Sequence, residues 1–444
     1  MKEELLKLII KKQYTKVKKI ITEMNIQDVA EILSDLPLET VAPIFRLIPK
    51  DIAAEVFAEL DLTVATELLQ YLTEKEAVSI LNELAADDAT DIIEEMPANI
   101  VDKLLKMCDD TTRKDINKLL KYQEDTAGSI MTVEYAELKE DIDIETAIKE
   151  LKKDFEKYET INTCYVVDKK RILVGEIQIK DLLFSSRDEK IKDICEKDIL
   201  YVSTNTDQEE VANIFSKYDK TIMPVVDSEH RLVGIITIDD VLDVVEEEAT
   251  EDIKKMAAIT PIDKPYDKTG VFETFFARIP WLVVLMISAT FTGAIITRFE
   301  DKLAACTALT AFIPMLMNTG GNAGGQSSAT IIRGLSLDDI EFKDSFKVMF
   351  KELCTAFLVG LTLAIANFAK LMLIDGIEFK ISLVVSLTII LVVCVAKVIG
   401  SFLPILAKKL GFDPTVMASP FITTIIDACS LLIYFEIATM IIGL

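Results

Sequence analysis

Amide and hydroxyl side chains gather inside an uncharged stretch of the chain that runs from residue 303 to residue 332. The stretch is long enough to cross a lipid bilayer as a helix. Its polar residues are Asn318, Thr319, Asn322, Gln326, Ser327 and Ser328. Pro314 and a set of glycines would let the backbone leave the α-helical conformation. The glycines are Gly320, Gly321, Gly324 and Gly325. The stretch therefore predicts a water-filled path lined by carbonyl and amide oxygens, since lipid cannot satisfy free polar groups. The alternative is a Gly/Ser surface for helix packing.

Three charged residues lie inside the later apolar segments, and each is costly in a bilayer. Asp427 closes the hydroxyl-rich stretch Thr423-Thr424-Ile425-Ile426-Asp427. Lys397 has a similar depth by residue count and is the candidate for an ion pair with Asp427. Otherwise we expect Lys397 to point away from a cation path, towards a lipid headgroup or the backbone. Glu436 lies nine residues beyond Asp427, half a turn out of phase, and receives no role.

The charge of the chain is unevenly distributed. The net charge is −25, and −24 of it falls in residues 1–270. This acidity argues against a nucleic-acid partner, whose phosphates would be repelled, and favours cations, although acidity for solubility is a common alternative. The single histidine, His230, excludes a multi-histidine metal site within one chain. Seven scattered cysteines are consistent with a reducing compartment for the acidic part.

Residues 1–125 repeat a pattern of about twelve residues, which predicts an acidic helical domain. Each unit starts with Pro, Asp or Thr and closes with an apolar pair. The repeated boundaries are Leu36-Pro37, Ile48-Pro49, Leu60-Asp61, Leu72-Thr73, Leu84-Ala85 and Met96-Pro97. Helices of two or three turns are too short to be stable alone, so we expect them to stack into a superhelix.

Residues 126–247 contain two similar α/β segments, about 126–190 and 191–247. Tyr165-Val166-Val167-Asp168 followed by Leu173-Val174-Gly175 matches Pro224-Val225-Val226-Asp227 followed by Leu232-Val233-Gly234. Each pattern indicates a strand, a turn, a second strand and a helix. The pair resembles tandem CBS domains, and the resemblance implies modules that pair face to face and often sense nucleotides or ions.

The adenosine-nucleotide pattern of CBS domains has Thr or Ser three residues before an Asp. Thr237 and Asp240 fit this pattern in the second module, whereas Gln178 and Asp181 depart from it in the first. ATP binding at Thr237 and Asp240 is therefore one hypothesis, and a structural role for both modules is the other.

Two runs of carboxylates are candidates for binding a hard cation such as Mg²⁺. The first run, at helical spacing, comprises Asp87, Asp88, Asp91, Glu94 and Glu95. The second run comprises Asp239, Asp240, Asp243, Glu246, Glu247, Glu248, Glu251 and Asp252. The alternative for both runs is a solvated acidic helix. The second run continues the last module helix, a further helix is expected to end near Ile259, and Pro261 and Pro265 would terminate it.

Residues 271–444 predict five membrane spans, about 279–297, 303–332, 353–374, 381–407 and 415–444. With residues 1–270 in the cytosol, the inner loops hold more Lys and Arg than the outer loops, which favours this orientation. Five spans would then place the C-terminus outside. The chain is thus predicted to be multidomain: an α-helical superhelix, an α/β pair and an α-helical integral membrane domain.

The run Gly320-Gly321-Asn322-Ala323-Gly324-Gly325-Gln326, six residues after Pro314, is similar to the signature of the MgtE family of magnesium transporters and channels. Many family members have Asn where this chain has Gly325. The resemblance covers the whole chain in the same domain order, with residues 248–270 corresponding to a connecting plug helix under the pore.

The resemblance implies a Mg²⁺-selective homodimer of the plasma or bacterial inner membrane, with its pore on the two-fold axis. Asp427 matches the acidic residue that such pores use to hold Mg²⁺. The implied pore lining comprises Asn318, Gly320, Gly321, Asn322, Gln326, Thr423 and Thr424. Mg²⁺ bridging the two carboxylate runs would close the pore when cytosolic Mg²⁺ is high.

No nucleotide-hydrolysing motif such as a P-loop is visible, so we expect a non-enzymatic protein that imports Mg²⁺ down its electrochemical gradient. One alternative is the same architecture carrying another divalent cation, such as Co²⁺ or Ni²⁺. A second is a membrane-tethered CBS sensor whose spans only anchor it.

Overall fold

The computed structural model describes residues 5, 7–9, 11–262, 264, 266, 268–337, 339–417 and 419–443. Internal contacts divide the chain into two compact units, Met1–Glu246 and Glu247–Leu444. Each unit is considered separately below. The expected helix terminator Pro265 lies outside the described residues.

Short helices form the first part of the first unit, as the twelve-residue pattern predicts. They are α1 Tyr14–Glu23, α2 Ile26–Ser34, α3 Leu38–Phe45, α4 Lys50–Ala58, α5 Leu62–Tyr71, α6 Glu74–Leu81, α7 Ala86–Glu94, α8 Ala98–Met107 and α9 Asp110–Leu119. Each helix from α1 to α7 packs against the second helix after it, which produces a superhelix around one apolar core. The caps explain the boundaries: Thr73 and Glu76 form a capping box at α6, and Pro37 precedes α3.

Two three-stranded sheets follow, one in each α/β module. The first module contains β1 Tyr135–Lys139, α10 Ile144–Lys153, β2 Thr160–Val167, β3 Leu173–Gln178 and α11 Ile179–Phe184. The second module contains α12 Ile191–Ile194, β4 Val202–Ser203, α13 Gln208–Tyr218, β5 Ile222–Val226 and β6 Leu232–Thr237. In both sheets the first two strands are parallel and the last two are antiparallel. A shared apolar cluster that includes Tyr165, Ile222 and Ile235 packs the modules face to face.

A single helix, α14 Ile238–Met256, carries the second carboxylate run. It continues directly from β6, as predicted, but no further helix reaches Ile259. The turn at Ala257–Ile259 contains Ala258 in a left-handed conformation (φ +55°), and the Lys254 ammonium donates to the Ile262 carbonyl at 2.6 Å. The expected connecting helix over residues 248–270 is therefore wrong beyond Met256, because this turn ends α14 before the prolines.

Long helices form the rest of the second unit. They are α15 Val271–Arg298, α17 Ile313–Ser336, α18 Ser345–Leu373, α19 Phe379–Lys409 and α20 Ser419–Ile442, with the short α16 Glu300–Ala305 between the first two. In the described part of the chain, four of them are long and apolar enough to cross a membrane: α15, α18 with its preceding turn, α19 and α20. The glycine-rich α17 falls below that hydropathy because its polar residues offset its apolar ones.

The predicted second span was wrong at its start and in its conformation. Residues 307–312 form a 3₁₀ turn, and α17 begins only at Ile313. Pro314 occupies the first turn of α17, where its missing N–H costs no helical hydrogen bond. The glycines stay helical throughout, because packing against α19 and α20 holds them. The backbone of this stretch therefore does not open to supply carbonyl oxygens.

Candidate functional site

One face of α17 carries a stripe of amides. Asn318, Asn322 and Gln326 recur every fourth residue, so they share a face, and all three side chains are exposed within the single chain. The Asn322 side-chain nitrogen donates to the Asn318 side-chain oxygen at 3.2 Å. We call these three residues the amide stripe. Because exposed amides cannot be satisfied by lipid, the amide stripe requires water or another protein surface.

The opposite face of α17 packs through residues with small side chains. Gly320, Gly321 and Gly324 are buried, as are Ser327 and Ser328. A Cβ atom at Gly321 would lie 2.9 Å from the Thr423 methyl, and one at Gly320 would lie 2.8 Å from Val392. The two alternatives for this stretch thus apply to different faces of one helix. Gly320 and Gly321, expected to line a path, belong to the packing face.

Asp427 lies on α20, beside the place where α17 and α20 approach. It is one turn beyond Thr423, which contacts Gly321. Its Oδ1 atom is buried and has no hydrogen-bond partner among the described residues. The Thr424 hydroxyl donates to the Pro420 carbonyl at 3.1 Å and so is satisfied by its own helix. A buried carboxylate oxygen without a partner is a candidate ligand for a cation or for its hydration water.

Lys397 does not pair with Asp427 and does not reach a headgroup. Its ammonium donates to Ser327 Oγ at 3.0 Å and to Glu352 Oε2 at 3.3 Å. The expected ion pair with Asp427 and the expected headgroup or backbone partner were therefore wrong, and the reason is Glu352, which the sequence analysis missed. Glu352 stands one residue before the predicted span at Leu353, so a hydropathy window excluded it. The signal that could have found it is a Glu and a Lys at matching depths in adjacent antiparallel spans. Glu436 is exposed on α20.

In the first unit, Asp87, Asp88 and Asp91 of α7 come close to Asp240 of α14. Desolvation, followed by the charges of neighbouring carboxylates, raises the pKa of Asp88 to about 7 and that of Asp91 to about 8. Desolvation is also the main cause that raises the pKa of Asp87 to about 6 and that of Asp240 to about 7. We call these four residues the acidic cluster. The charges repel one another across the contact between the helical domain and the second α/β module.

Two further carboxylates, Glu134 and Glu159, extend the acidic cluster. Desolvation and the charges of Asp87 and Glu159 raise the pKa of Glu134 to about 7. Desolvation and the charges of Asp239 and Asp240 raise the pKa of Glu159. Neither residue stands in an acidic run of the sequence, so only the fold could reveal them.

The acidic cluster fits a cation in its charge but lacks a preformed ligand shell. Asp87 Oδ1 is buried without a hydrogen-bond partner in the described residues, which leaves an oxygen available to a cation. Within the part of the chain that the structure describes, no three His, Cys, Asp or Glu side chains converge as metal ligands would. A cation here would therefore keep much of its own hydration, as Mg²⁺ does in proteins.

The remaining carboxylate candidates lie along α7 and α14. Glu95 follows α7, and Asp239, Asp243, Glu246 and Glu247 are exposed on α14, with Glu248, Glu251 and Asp252 half-buried further along. Burial and the charges of Glu246 and Asp239 raise the pKa of Asp243. In the second unit, the Lys255 ammonium lies 2.7 Å from Glu251 and 2.8 Å from Asp413. Glu251 is thus already paired with a lysine.

The two roles expected for Asp240 compete. Its Oδ2 accepts a hydrogen bond from the Thr237 hydroxyl at 2.5 Å, so the two residues of the nucleotide pattern bind each other. Asp240 is also a member of the acidic cluster. Polyphosphate binding beside these carboxylates would require cations to offset the repulsion.

Comparisons with known proteins agree with this architecture. Residues 313–437 match the family model MgtE, described as divalent cation transporter, and residues 3–125 match the MgtE intracellular N domain. Residues 191–247 match the CBS domain. A magnesium transporter MgtE of Thermus thermophilus is 40% identical over 76% of this chain and 75% of its own length. One of Bacillus subtilis is 35% identical over 73% of this chain and 72% of its own length.

Solved structures resemble the first unit. The cytosolic domain of the Mg²⁺ channel MgtE in complex with ATP superposes with a TM-score of 0.52 at 35% identity, covering 55% of this chain and all of that chain. The soluble part of a magnesium transporter gives a TM-score of 0.51 at 27% identity, with 56% of this chain and all of that chain covered.

The raised pKa values predict that high pH destabilises the first unit. Folding raises the pKa of Asp87, Asp88, Asp91 and Asp240 from 3.8 to between about 6 and about 8, so the folded state holds protons that the unfolded state has released. This stabilisation is present at low pH and is lost as pH rises through the folded pKa values. In calorimetry of the purified protein in EDTA, the first unit should unfold at a higher temperature near about pH 5 than near about pH 9. Replacing Asp88, Asp91 and Asp240 by Asn should flatten that dependence; an unchanged slope would contradict the prediction.

Substitution of Gly400 should separate α17 from α19. A Cβ atom at Gly400 would clash with the Gly324 carbonyl, which is backbone and cannot rotate away. Gly400→Ala should therefore destabilise the second unit, Glu247–Leu444, which we call the membrane unit, by about 1–3 kcal/mol. In detergent, this loss should appear as a lower unfolding temperature. Gly293→Ala is the matched control, since a Cβ at Gly293 on α15 meets nothing within 4 Å. Equal transitions for both variants would contradict the packing described here.

Proposed function

This chain belongs to the MgtE family of divalent cation transporters, and on that premise we propose that it carries Mg²⁺ across a lipid bilayer. The observation that carries the proposal is the unpartnered Asp427 oxygen beside the α17–α20 contact. A buried carboxylate oxygen that no described residue satisfies is costly at membrane depth unless a cation or water meets it. The relatives named magnesium transporter support Mg²⁺ as that cation.

The ion is proposed to travel with much of its hydration intact. Mg²⁺ releases its inner waters reluctantly, so a path for it must bind those waters. The amide stripe supplies donors and acceptors along about two turns of α17, and Asp427 supplies the negative charge. Neither group needs to contact the metal directly. This arrangement favours a hard, strongly hydrated cation over softer ions that bind His or Cys.

A second copy of the chain is proposed to complete the path. The amide stripe is exposed within one chain, and a two-fold related copy would face it with the same groups and enclose water between them. Two Asp427 carboxylates would then act on one ion. Import down the electrochemical gradient requires no hydrolysed nucleotide, in keeping with the absence of a P-loop from the sequence. We assign the first unit to the cytosolic side of a bacterial inner membrane or plasma membrane.

Control by cytosolic Mg²⁺ is proposed to act through the acidic cluster. Without cations, the carboxylates of α7 and α14 repel one another, which favours a loosened first unit. Bound Mg²⁺ would offset that repulsion and favour the compact form, and α14 continues into the membrane unit and could transmit the change. ATP bound near Thr237 would be a further regulator, since a related cytosolic domain was solved with ATP.

The role of Asp427 predicts that Asp427→Asn reduces Mg²⁺ flux into proteoliposomes by roughly tenfold or more, since an amide has no charge to attract the ion. The protein should still insert and give the same elution profile. Asp375→Asn is the matched control, because Asp375 is paired with Lys370 at 3.1 Å near the end of α18. If Asp427→Asn conducts as the unchanged protein does, the ion-binding role belongs to another residue.

The proposed role of the acidic cluster predicts that removing its charges prevents Mg²⁺ from closing the cation path. With Asp91→Asn and Asp240→Asn together, flux should persist at Mg²⁺ concentrations that stop the unchanged protein, because the acidic cluster loses two of the carboxylates, one on each helix, that would bind Mg²⁺ and hold α7 to α14. Mg²⁺ should also cease to protect the first unit from proteolysis. The control is Asp28→Asn with Asp198→Asn, two exposed carboxylates in the same unit. Normal closure and protection in the first double variant would show that the acidic cluster only aids solubility.

A further inference from the structure

Three polar residues from three helices meet inside the membrane unit. Ser327 lies on α17, Glu352 on α18 and Lys397 on α19. The Ser327 hydroxyl donates to Glu352 Oε2 at 2.6 Å, and the Lys397 ammonium donates to both partners, at 3.0 Å and 3.3 Å. The side chains of Lys397 and Glu352 are only 8% and 15% exposed. We call these residues the polar triad.

The polar triad stands beside the closest approach of two helix backbones. Gly400 of α19 contacts the Gly324 carbonyl of α17. Ser327 is three residues after Gly324, and Lys397 is three residues before Gly400, so the polar triad is one turn from this contact. Small side chains let the backbones approach closely, and the polar triad adds directional contacts that bear on the rotation of α17. Hydrogen bonds and an ion pair are directional and define it.

Rotation of α17 determines where the amide stripe points. Ser327 follows Asn318 by nine residues, which places the two side chains about 180° apart around the helix axis. Holding Ser327 against α18 and α19 therefore turns Asn318 and its neighbours in the stripe away from those helices. If α17 turned about its axis by the angle of one residue position, the amide stripe would move by about 100° and its amides would be buried against apolar side chains.

We propose that Lys397 and Glu352 are positioning residues that act through Ser327 to keep the amide stripe facing the cation path. The inference rests on the proposed conduction of Mg²⁺ along that stripe. Neither charge binds the transported ion. The pair is neutral as a unit, so it fixes α17 without adding net charge near the path. Loss of one member leaves the other buried and unpaired, which distorts the site more than loss of both.

The test measures both the orientation of α17 and transport in the full-length chain. Asn322→Cys is labelled in proteoliposomes with a membrane-impermeant maleimide, after subtraction of the labelling of the parent chain's own cysteines. In the chain that carries Asn322→Cys, Lys397→Met should reduce labelling of the new cysteine by roughly tenfold. In the parent chain, which keeps Asn322, Lys397→Met should reduce Mg²⁺ flux by roughly tenfold. The double variant Lys397→Met with Glu352→Gln should recover both to within about threefold, because the glutamine side chain keeps an oxygen that accepts from Ser327.

Three controls separate positioning from a general structural role. Lys370→Met removes a lysine of the same membrane unit whose ion pair is exposed, and it should change neither readout. Labelling at Leu358→Cys, on the exposed side of α18, should be the same in all variants. Ser327→Ala keeps the ion pair and removes only its link to α17, so it should lower labelling at Asn322→Cys even if the single charge variants fail to fold.

The outcomes distinguish this inference from the proposed function. If Asn322→Cys is unreactive in the otherwise unchanged chain, the stripe does not face water and the proposed conduction path is wrong. If it is reactive but Ser327→Ala and Lys397→Met leave labelling and flux unchanged, the positioning role is overturned. A double variant that is no better than Lys397→Met alone would also overturn it, because the two residues would then not act as a pair.

Discussion

A polar group inside a bilayer must be met by protein or by water, and this requirement organises the membrane unit. Helix α17 carries too many amides and hydroxyls to face lipid. It buries its glycines and serines against α19 and α20, and it leaves Asn318, Asn322 and Gln326 on the opposite face. The serine at position 327 is satisfied by Glu352, whereas the amides are left for water or a second copy. The same requirement makes the unpartnered Asp427 oxygen informative.

Among the residues described, the membrane unit contains both a paired and an unpaired charge. Lys397 and Glu352 form an ion pair at 3.3 Å, so the pair costs less than either charge would if it were buried alone. Asp427 Oδ1 has no hydrogen-bond partner within the described residues, and for this reason Asp427 is proposed to attract the transported cation. In the first unit the carboxylates of α7 and α14 are crowded rather than paired, and their mutual repulsion is the basis of the proposed control by Mg²⁺.

The helical repeat, the paired modules and most apolar helices could be predicted because each depends on local spacing. The conformation of α17 could not, because isolated Gly and Pro propensities suggested a broken helix, whereas packing against neighbours kept it intact. Glu352 was missed because it lies just outside an apolar window. Asp87, Asp91 and Asp240 were recognisable as members of acidic runs. Glu134 and Glu159 were not, since only the fold brings these isolated residues to the acidic cluster.

The most direct test of the account is the movement of Mg²⁺ itself through the purified, unaltered chain. Proteoliposomes containing a Mg²⁺-sensitive dye would be given an inward Mg²⁺ gradient, with the membrane potential clamped by K⁺ and valinomycin. The account predicts uptake that depends on the protein and becomes faster as the interior is made more negative. Uptake should slow when the Mg²⁺ concentration is raised on the side of the membrane that holds the first unit. Uptake no faster than in protein-free liposomes, at every potential and in the absence of Mg²⁺ on that side, would contradict it.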